Sequence, residues 1–280
     1  MRGVFPILVT PFDERSRVDE DSLRRLIDFN IDAGVHGLGV AERDHVTRIV
    51  VDQVRKRVPV VINTGAPGTE LAVHYSRRAE ELGADALMIL PPSFMPASAG
   101  EVREYFTTIN DAVGIPIFLQ DTPSAPVSAG MAKELAATCE HVRYIKVESQ
   151  PITTKVADAV AQAGESIVVF GGAGGGYFIE EMRRGSQGTM PFCTQPEAFV
   201  AVWNHFQVGD ERAAREVFNR TIDPVNRVAA QGNGIFYHVH KTLLVHRGII
   251  ASNKVRSPAP PCDEMTEREL QALLNALYPK

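Results

Sequence analysis

The stretch Arg143-Tyr144-Ile145-Lys146-Val147-Glu148 sets a lysine inside a run that otherwise reads as a buried strand. Lysine is seldom fully buried, so one between Ile145 and Val147 needs a partner or a task. Strand side chains alternate, which puts Tyr144, Lys146 and Glu148 on one face and Ile145 and Val147 on the other. An amine and a carboxylate then stand side by side. A buried Lys-Glu ion pair, or a lysine reaching to water from a strand end, accounts for this without any chemistry. A desolvated lysine can instead act as a neutral amine, attack a carbonyl and form a Schiff base.

The surroundings of this strand repeat one pattern. Residues 4–9 read as a strand, and Leu23, Leu26, Ile27 and Ile31 then recur at helical spacing, with Asp19 as N-cap and Gly34 as the stop. Short apolar strands at 35–40, 58–62, 86–90, 115–119, 144–147, 167–170 and 188–190 follow. Each leads into a helical stretch, at 46–54, 69–82, 100–113, 128–138, 152–163, 177–184 and 196–208. Counted this way there are eight strand-helix units, with the Lys146 strand sixth. Nearly continuous apolar strands suit a parallel sheet buried on both faces. The fold expected is α/β, a (β/α)8 TIM barrel over residues 1–209, with residues 210–280 as a C-terminal helical extension packed on it. A doubly wound open sheet is the alternative, but no Gly-x-Gly-x-x-Gly follows the first strand.

One junction departs from this plan. Val40 runs into Ala41-Glu42-Arg43-Asp44, which already resembles the next helix, so no residues remain to turn the chain. Either that boundary is misplaced or residues are missing between Val40 and Ala41; the second is the expectation, and an intact mass of 30.6 kDa would rule it out.

Composition narrows the class of function. The 280 residues, 44% hydrophobic and 22% charged, describe an ordinary globular protein. A net charge of -5 and a pI near 5.9 offer no basic surface, so neither nucleic acid nor an anionic membrane is an expected partner. Cys139, Cys193 and Cys262 are odd in number and widely spaced, fitting neither a disulfide framework nor a zinc site. His238 and His240 do not share a helix face and read as structural, so no metal is expected. With no signal peptide or membrane span read from the sequence, the expectation is cytoplasmic.

Three pieces together carry a resemblance: Val9-Thr10-Pro11-Phe12 after the first strand, Ile117-Phe118-Leu119-Gln120-Asp121-Thr122-Pro123 on the fifth, and Lys146 on the sixth. With Ala79-Glu80-Glu81-Leu82-Gly83-Ala84-Asp85-Ala86 and Leu90-Pro91-Pro92, the chain resembles the dihydrodipicolinate synthase/N-acetylneuraminate lyase family from about Gly3 to its end. The resemblance implies that Lys146 forms a Schiff base with pyruvate or another 2-oxo acid at the C-terminal mouth of the barrel. It also implies no cofactor, and a homo-oligomer, tetramer or dimer.

The departures from the family pattern matter as much. Gln120 stands where members usually carry a proton-shuttling tyrosine, and an amide cannot exchange protons near neutral pH. Glu148 is the best local replacement, or else a structural partner of the lysine; Tyr144 and Asp121 are weaker candidates. The arginine by which the synthases hold their second substrate would fall near Ser124-Ala125-Pro126, where there is none. The family's carboxylate-binding Gly-Thr-Thr-Gly-Glu loop would fall at the Val40-Ala41 junction. Phe170-Gly171-Gly172-Ala173-Gly174-Gly175-Gly176 could let backbone approach a ligand or an anion, or simply be a flexible loop. Gly172 aligns with a pocket-lining glycine and Met190 with the residue facing the keto acid.

The expected function is a class I lyase or aldolase acting on a 2-oxo acid, not an authentic dihydrodipicolinate synthase. Lys146 and Glu148 are the catalytic candidates; Gln120, Gly172, Met190 and Thr10 are the substrate-binding ones. The alternatives are a 2-oxo-3-deoxy sugar acid dehydratase and a non-catalytic 2-oxo acid binder. A barrel isomerase holding a phosphorylated substrate at Gly171 to Gly176 ranks last.

Overall fold

The computed structural model describes residues 1–41, 44–95, 97–232 and 234–279. In chain order the strands are β1 (Gly3–Val4), β2 (Ile7–Leu8), β3 (Leu38–Val40), β4 (Val60–Asn63), β5 (Ala86–Ile89), β6 (Ile117–Asp121), β7 (Val142–Val147), β8 (Val168–Gly171) and β9 (Gly188–Thr189). The helices are α1 (Glu20–Asp32), α2 (Asp44–Val54), α3 (Thr69–Glu81), α4 (Ala99–Asn110), α5 (Ala129–Thr138), α6 (Ile152–Ala163), α7 (Phe178–Met182), α8 (Pro196–Gln207), α9 (Glu211–Val217), α10 (Asp223–Ala229), α11 (Phe236–His246) and α12 (Glu264–Leu277). Two compact units divide the chain: Met1–Ile7 with His36–Pro191, and Leu8–Val35 with Phe192–Lys280.

The first unit holds the sheet, whose order is β1-β9-β8-β7-β6-β5-β4-β3-β2 with parallel neighbours. β1 and β2 are two halves of one extended run, split at Pro6, which has no amide hydrogen to give to a ladder. On one edge of that run the amides of Gly3, Phe5 and Ile7 donate to the carbonyls of Gln187, Thr189 and Pro191. On the other edge the carbonyls of Val4 and Pro6 accept from His36 and Gly39. A strand bonded on both sides closes the sheet, giving the expected (β/α)8 barrel with β7 as its sixth strand.

Inward side chains fill the barrel. Phe5, Val61, Ala86, Met88, Phe118, Phe170 and Met190 form one buried cluster, with Phe170 edge-on to Phe5 at 5.5 Å and to Phe118 at 5.4 Å. Each such aromatic stabilises the interior by roughly 1.5–3 kcal/mol relative to exposure. This apolar plug leaves polar side chains only near the strand ends.

After β3, Ala41 is exposed and non-helical, and α2 is described from Asp44. An acidic residue suits a helix start, and Asp44 also pairs with Arg78 at 2.9 Å. Glu42 and Arg43, read from the sequence as helix, lie outside the described residues.

The second unit is helical. Asp19 caps α1 as expected, its side chain accepting from the Ser22 amide at 3.0 Å. A core of Val225, Val228, Ala229, Ile235, Val239, Leu243, Leu270 and Leu274 joins α10, α11 and α12. α1 and α8 belong to this unit. α8 and α9 form a tight helical hairpin: Gly209 takes φ +81° and Asp210 caps α9 through the Ala213 amide. Cys139, Cys193 and Cys262 are all free thiols, and burial pushes Cys193 up to about 12. No helix among the described residues is long and apolar enough to cross a membrane.

Candidate active site

The sixth barrel strand carries Lys146 one residue before its end, on the inward face and 5% exposed. Its Nζ lies 2.9 Å from Oε2 of Glu148, which follows the strand. Alternation predicts this neighbourhood, and the structure adds what surrounds it. Gln120, opposite Lys146 in the β6–β7 register, donates through Nε2 to the same Glu148 oxygen at 3.2 Å. Asn63, the last residue of β4, donates through Nδ2 to Gln120 Oε1 at 3.0 Å. The Ala173 amide donates to Glu148 Oε1 at 3.0 Å. One carboxylate therefore gathers a lysine, an amide side chain and a loop amide, all at the C-terminal ends of barrel strands. That is the end at which barrel enzymes do chemistry.

The glycine loop is shaped by this carboxylate. A Cβ on Gly172 would stand 2.4 Å from Glu148 Cγ, so only glycine leaves room for the side chain. Gly172, at φ -148° and ψ -129°, turns the next peptide so that the Ala173 amide meets Glu148, and Ala173 itself takes φ +47°. The anion at this loop is thus supplied by the protein itself. The helix beyond it, α7, has five residues, which gives no support to the phosphate reading.

The remaining candidates make other contacts. Asp121 points out of the barrel and is fully buried, bonded to the amides of Val127 and Ser149 and paired with Lys155 at 2.6 Å. Its backbone carbonyl accepts from the Glu148 amide at 2.9 Å, so it braces the strand end. Tyr144 sits a layer below Lys146, stacked on Phe118 at 4.2 Å, with burial raising its phenol and the Met1 amino group donating to its oxygen at 2.8 Å. Met190 belongs to the apolar plug. Thr10 is half-buried and lies in the second unit.

Sequence reading missed Asn63, the Ala173 amide and Glu181. Asn63 is visible as the polar residue ending Val60-Val61-Ile62. A backbone amide has no residue-type signature. Glu181 is 0% exposed, and neither carboxyl oxygen has a hydrogen-bond partner. Burial, with the charges of Glu180 and Glu148, pushes it up to about 8 against the opposing pull of Lys146. Its place three residues after Phe178, on the apolar stripe of α7, was the available signal.

In the second unit, the donors of His238, Cys262 and Glu267 lie within 4.8 Å of one another, and His238 Nε2 is 2.8 Å from Glu267 Oε2. This is where the described residues bring metal-type ligands together, a convergence that their spacing in the sequence does not reveal. His240 points elsewhere, fully buried against Phe192 and bonded to Thr194.

A family model for the dihydrodipicolinate synthetase family matches residues 1–277. The chain belongs to that family. Among curated relatives, L-2-keto-3-deoxyarabonate dehydratase of Azospirillum brasilense is 29% identical over 99% of this chain and 95% of its own length. A 4-hydroxy-tetrahydrodipicolinate synthase of Geobacter sulfurreducens is 30% identical over 98% and 97%. The crystal structure of dihydrodipicolinate synthase from Aquifex aeolicus superposes with a TM-score of 0.88 at 26% identity, covering 99% of this chain and 98% of that one. The dehydratase alignment runs to 300 positions, more than the 280 residues here, so that relative has residues with no counterpart in this member of the family.

Proposed function

We propose that this family member is a class I lyase that binds a 2-oxo acid as a Schiff base on Lys146. The observation that carries the reading is the buried Lys146 held 2.9 Å from Glu148 at the C-terminal end of the sixth barrel strand. Transfer of the ammonium proton to Glu148 leaves an amine that adds to the keto carbon. Glu148 returns that proton to the hydroxyl of the adduct, so water leaves, a protonated imine forms and the carboxylate is regenerated; the imine draws electrons from the neighbouring carbon. Glu148 then takes a proton from that carbon to give an enamine. Gln120 holds Glu148 in place and contacts substrate, since as an amide it cannot itself exchange the proton. Gly172 provides the space in which Glu148 works.

The bound imine has two exits. Taking the proton of a hydroxyl one carbon further along breaks the carbon-carbon bond into the imine, releasing an aldehyde and leaving pyruvate as its enamine on the lysine. The other exit starts from the enamine formed by loss of the neighbouring carbon's proton. Expelling a hydroxyl group from the next carbon, protonated as it leaves, releases water and keeps the carbon chain whole. The A. brasilense relative, named as a 2-keto-3-deoxy sugar acid dehydratase, supports the second exit as an alternative to the first. The missing arginine near Ser124 argues against dihydrodipicolinate synthesis itself.

Borohydride reduction in the presence of pyruvate tests the first step. A stable adduct on Lys146, absent from Lys146→Ala, is expected; no adduct with any 2-oxo acid overturns the reading. An adduct without turnover across 2-keto-3-deoxy acids points to a binder. Pyruvate release marks the aldolase, and its absence alongside substrate loss marks the dehydratase. We also propose a cytoplasmic homo-oligomer, tetramer or dimer, as is usual among family members, to be checked by light scattering.

A further inference from the structure

Gly171 and Gly172 are consecutive, and each has a carboxyl side chain pressed on its Cα. A Cβ on Gly171 would stand 1.7 Å from Glu181 Oε2, and one on Gly172 2.4 Å from Glu148 Cγ. The backbone between β8 and its loop is therefore sandwiched, with Glu148 on the lysine side and Glu181 behind. Glu181 is fully sealed from water, and Phe178, Ile179 and Met182 of the same helix are buried as well. Two carboxylates flanking one thin backbone repel, and a sealed carboxylate whose nearby donor, the Gly172 amide, stands outside hydrogen-bond geometry is costly. Both difficulties vanish if Glu181 keeps its proton.

We propose that Glu181 is a positioning residue of the lysine site, a neutral carboxylic acid behind Gly171 whose lack of charge preserves the proton balance between Lys146 and Glu148. The proposal rests on the Schiff-base reading. Glu181 interacts electrostatically with both Lys146 and Glu148 across the glycines. A negative charge appearing there would favour the ammonium form of Lys146, which cannot attack a carbonyl, and the protonated form of Glu148, which cannot accept a proton. The charged groups facing it are few. β7 contributes Lys146 and the loop after it Glu148, while β8 and β9 carry no titratable side chain. On α6, Lys155 is committed to Asp121, and Asp158 is exposed; on its own helix and just beyond, Glu180 is half-buried and Arg183 and Arg184 are exposed.

Two measurements test this on the whole protein. Infrared titration of the wild type should show a protonated carboxyl band that disappears with a midpoint near 8 and is absent from Glu181→Gln. Cyanoborohydride trapping of the pyruvate imine should rise more steeply with pH in the variant. The ratio of trapping rates between about pH 9 and about pH 7 should be about threefold or more larger than in wild type. Glu181→Met gives the same comparison if the amide variant does not fold. Adducts forming with superimposable pH profiles, or no titrating carboxyl band, overturn the role of Glu181 alone. No adduct in the wild type at any pH overturns the imine reading and the proposal with it.

Discussion

Lys146 Nζ stands 2.9 Å from Glu148 Oε2, an oxygen that Gln120 also reaches at 3.2 Å, so the carboxylate and not the amide is the base nearest the amine. Glu148→Gln separates the two steps assigned to this pair. The pyruvate adduct on Lys146 should still form, more slowly and with solvent taking the ammonium proton, while kcat should fall by about 10²–10⁴-fold, the range for losing a positioned acid-base group. The variant also leaves a buried ammonium without its counter-charge, so it should be less stable by roughly 3–5 kcal/mol if the lysine stays charged. Trapping, turnover and urea unfolding on one preparation check all three; unchanged kcat would remove Glu148 from the chemistry.

Gly172→Ala probes the same carboxylate from the backbone side. Its methyl group would meet Glu148 Cγ at 2.4 Å, and one or the other must move. Overpacking of this kind costs about 1–3 kcal/mol. Displacing Glu148 also breaks its bond from the Ala173 amide. Activity should drop more than stability alone explains, whereas Gly100→Ala, whose new Cβ approaches only Ser98 Oγ at 3.8 Å, should leave both nearly unchanged.

The barrel and its lysine were legible for a simple reason. Short apolar strands punctuated by helices repeat along the chain, and a polar residue in such a strand stands out, as Lys146 does between Ile145 and Val147. What could not be read is what depends on residues distant in sequence. Asn63 meets Gln120 across 57 positions, and Glu148 meets the amide of Ala173, a contact to which any residue type could contribute. Helix boundaries are blurred for a related reason: Ala41 has no feature that forbids helix, yet at the end of a strand it is non-helical.

Asn63 supports the site at one remove, because its amide fixes which way the Gln120 carbonyl faces. With Gln120 Oε1 accepting from Asn63, Gln120 Nε2 is left to donate to Glu148. Asn63→Ala frees the amide to turn, and the loss of one hydrogen bond of about 0.5–1.5 kcal/mol should lower kcat by roughly twofold to tenfold. In a double-mutant cycle with Gln120→Ala, the two effects should not add. Full additivity would show that Asn63 does not act through Gln120.

Stability should respond to pH with opposite signs at its two ends, through one buried group in each unit. Burial lowers His240 from 6.5 to about 3, so the folded chain keeps it neutral while the unfolded chain protonates it below 6.5. Its contribution is complete above pH 6.5 and is lost as pH falls toward about 3. Glu181 works the other way: raised from 4.5 to about 8, it makes the folded state hold a proton that the unfolded state has released, so stability falls as pH rises between those values. Each slope is at most ~1.4 kcal/mol per pH unit. Between 4.5 and 6.5 the two oppose each other, leaving a plateau from this pair, with stability declining below it through His240 and above it through Glu181. Urea unfolding across this range should show His240→Asn flattening the acid side and Glu181→Gln the alkaline side. An acid limb that survives His240→Asn unchanged would mean that this histidine is not what opposes protonation in the folded state.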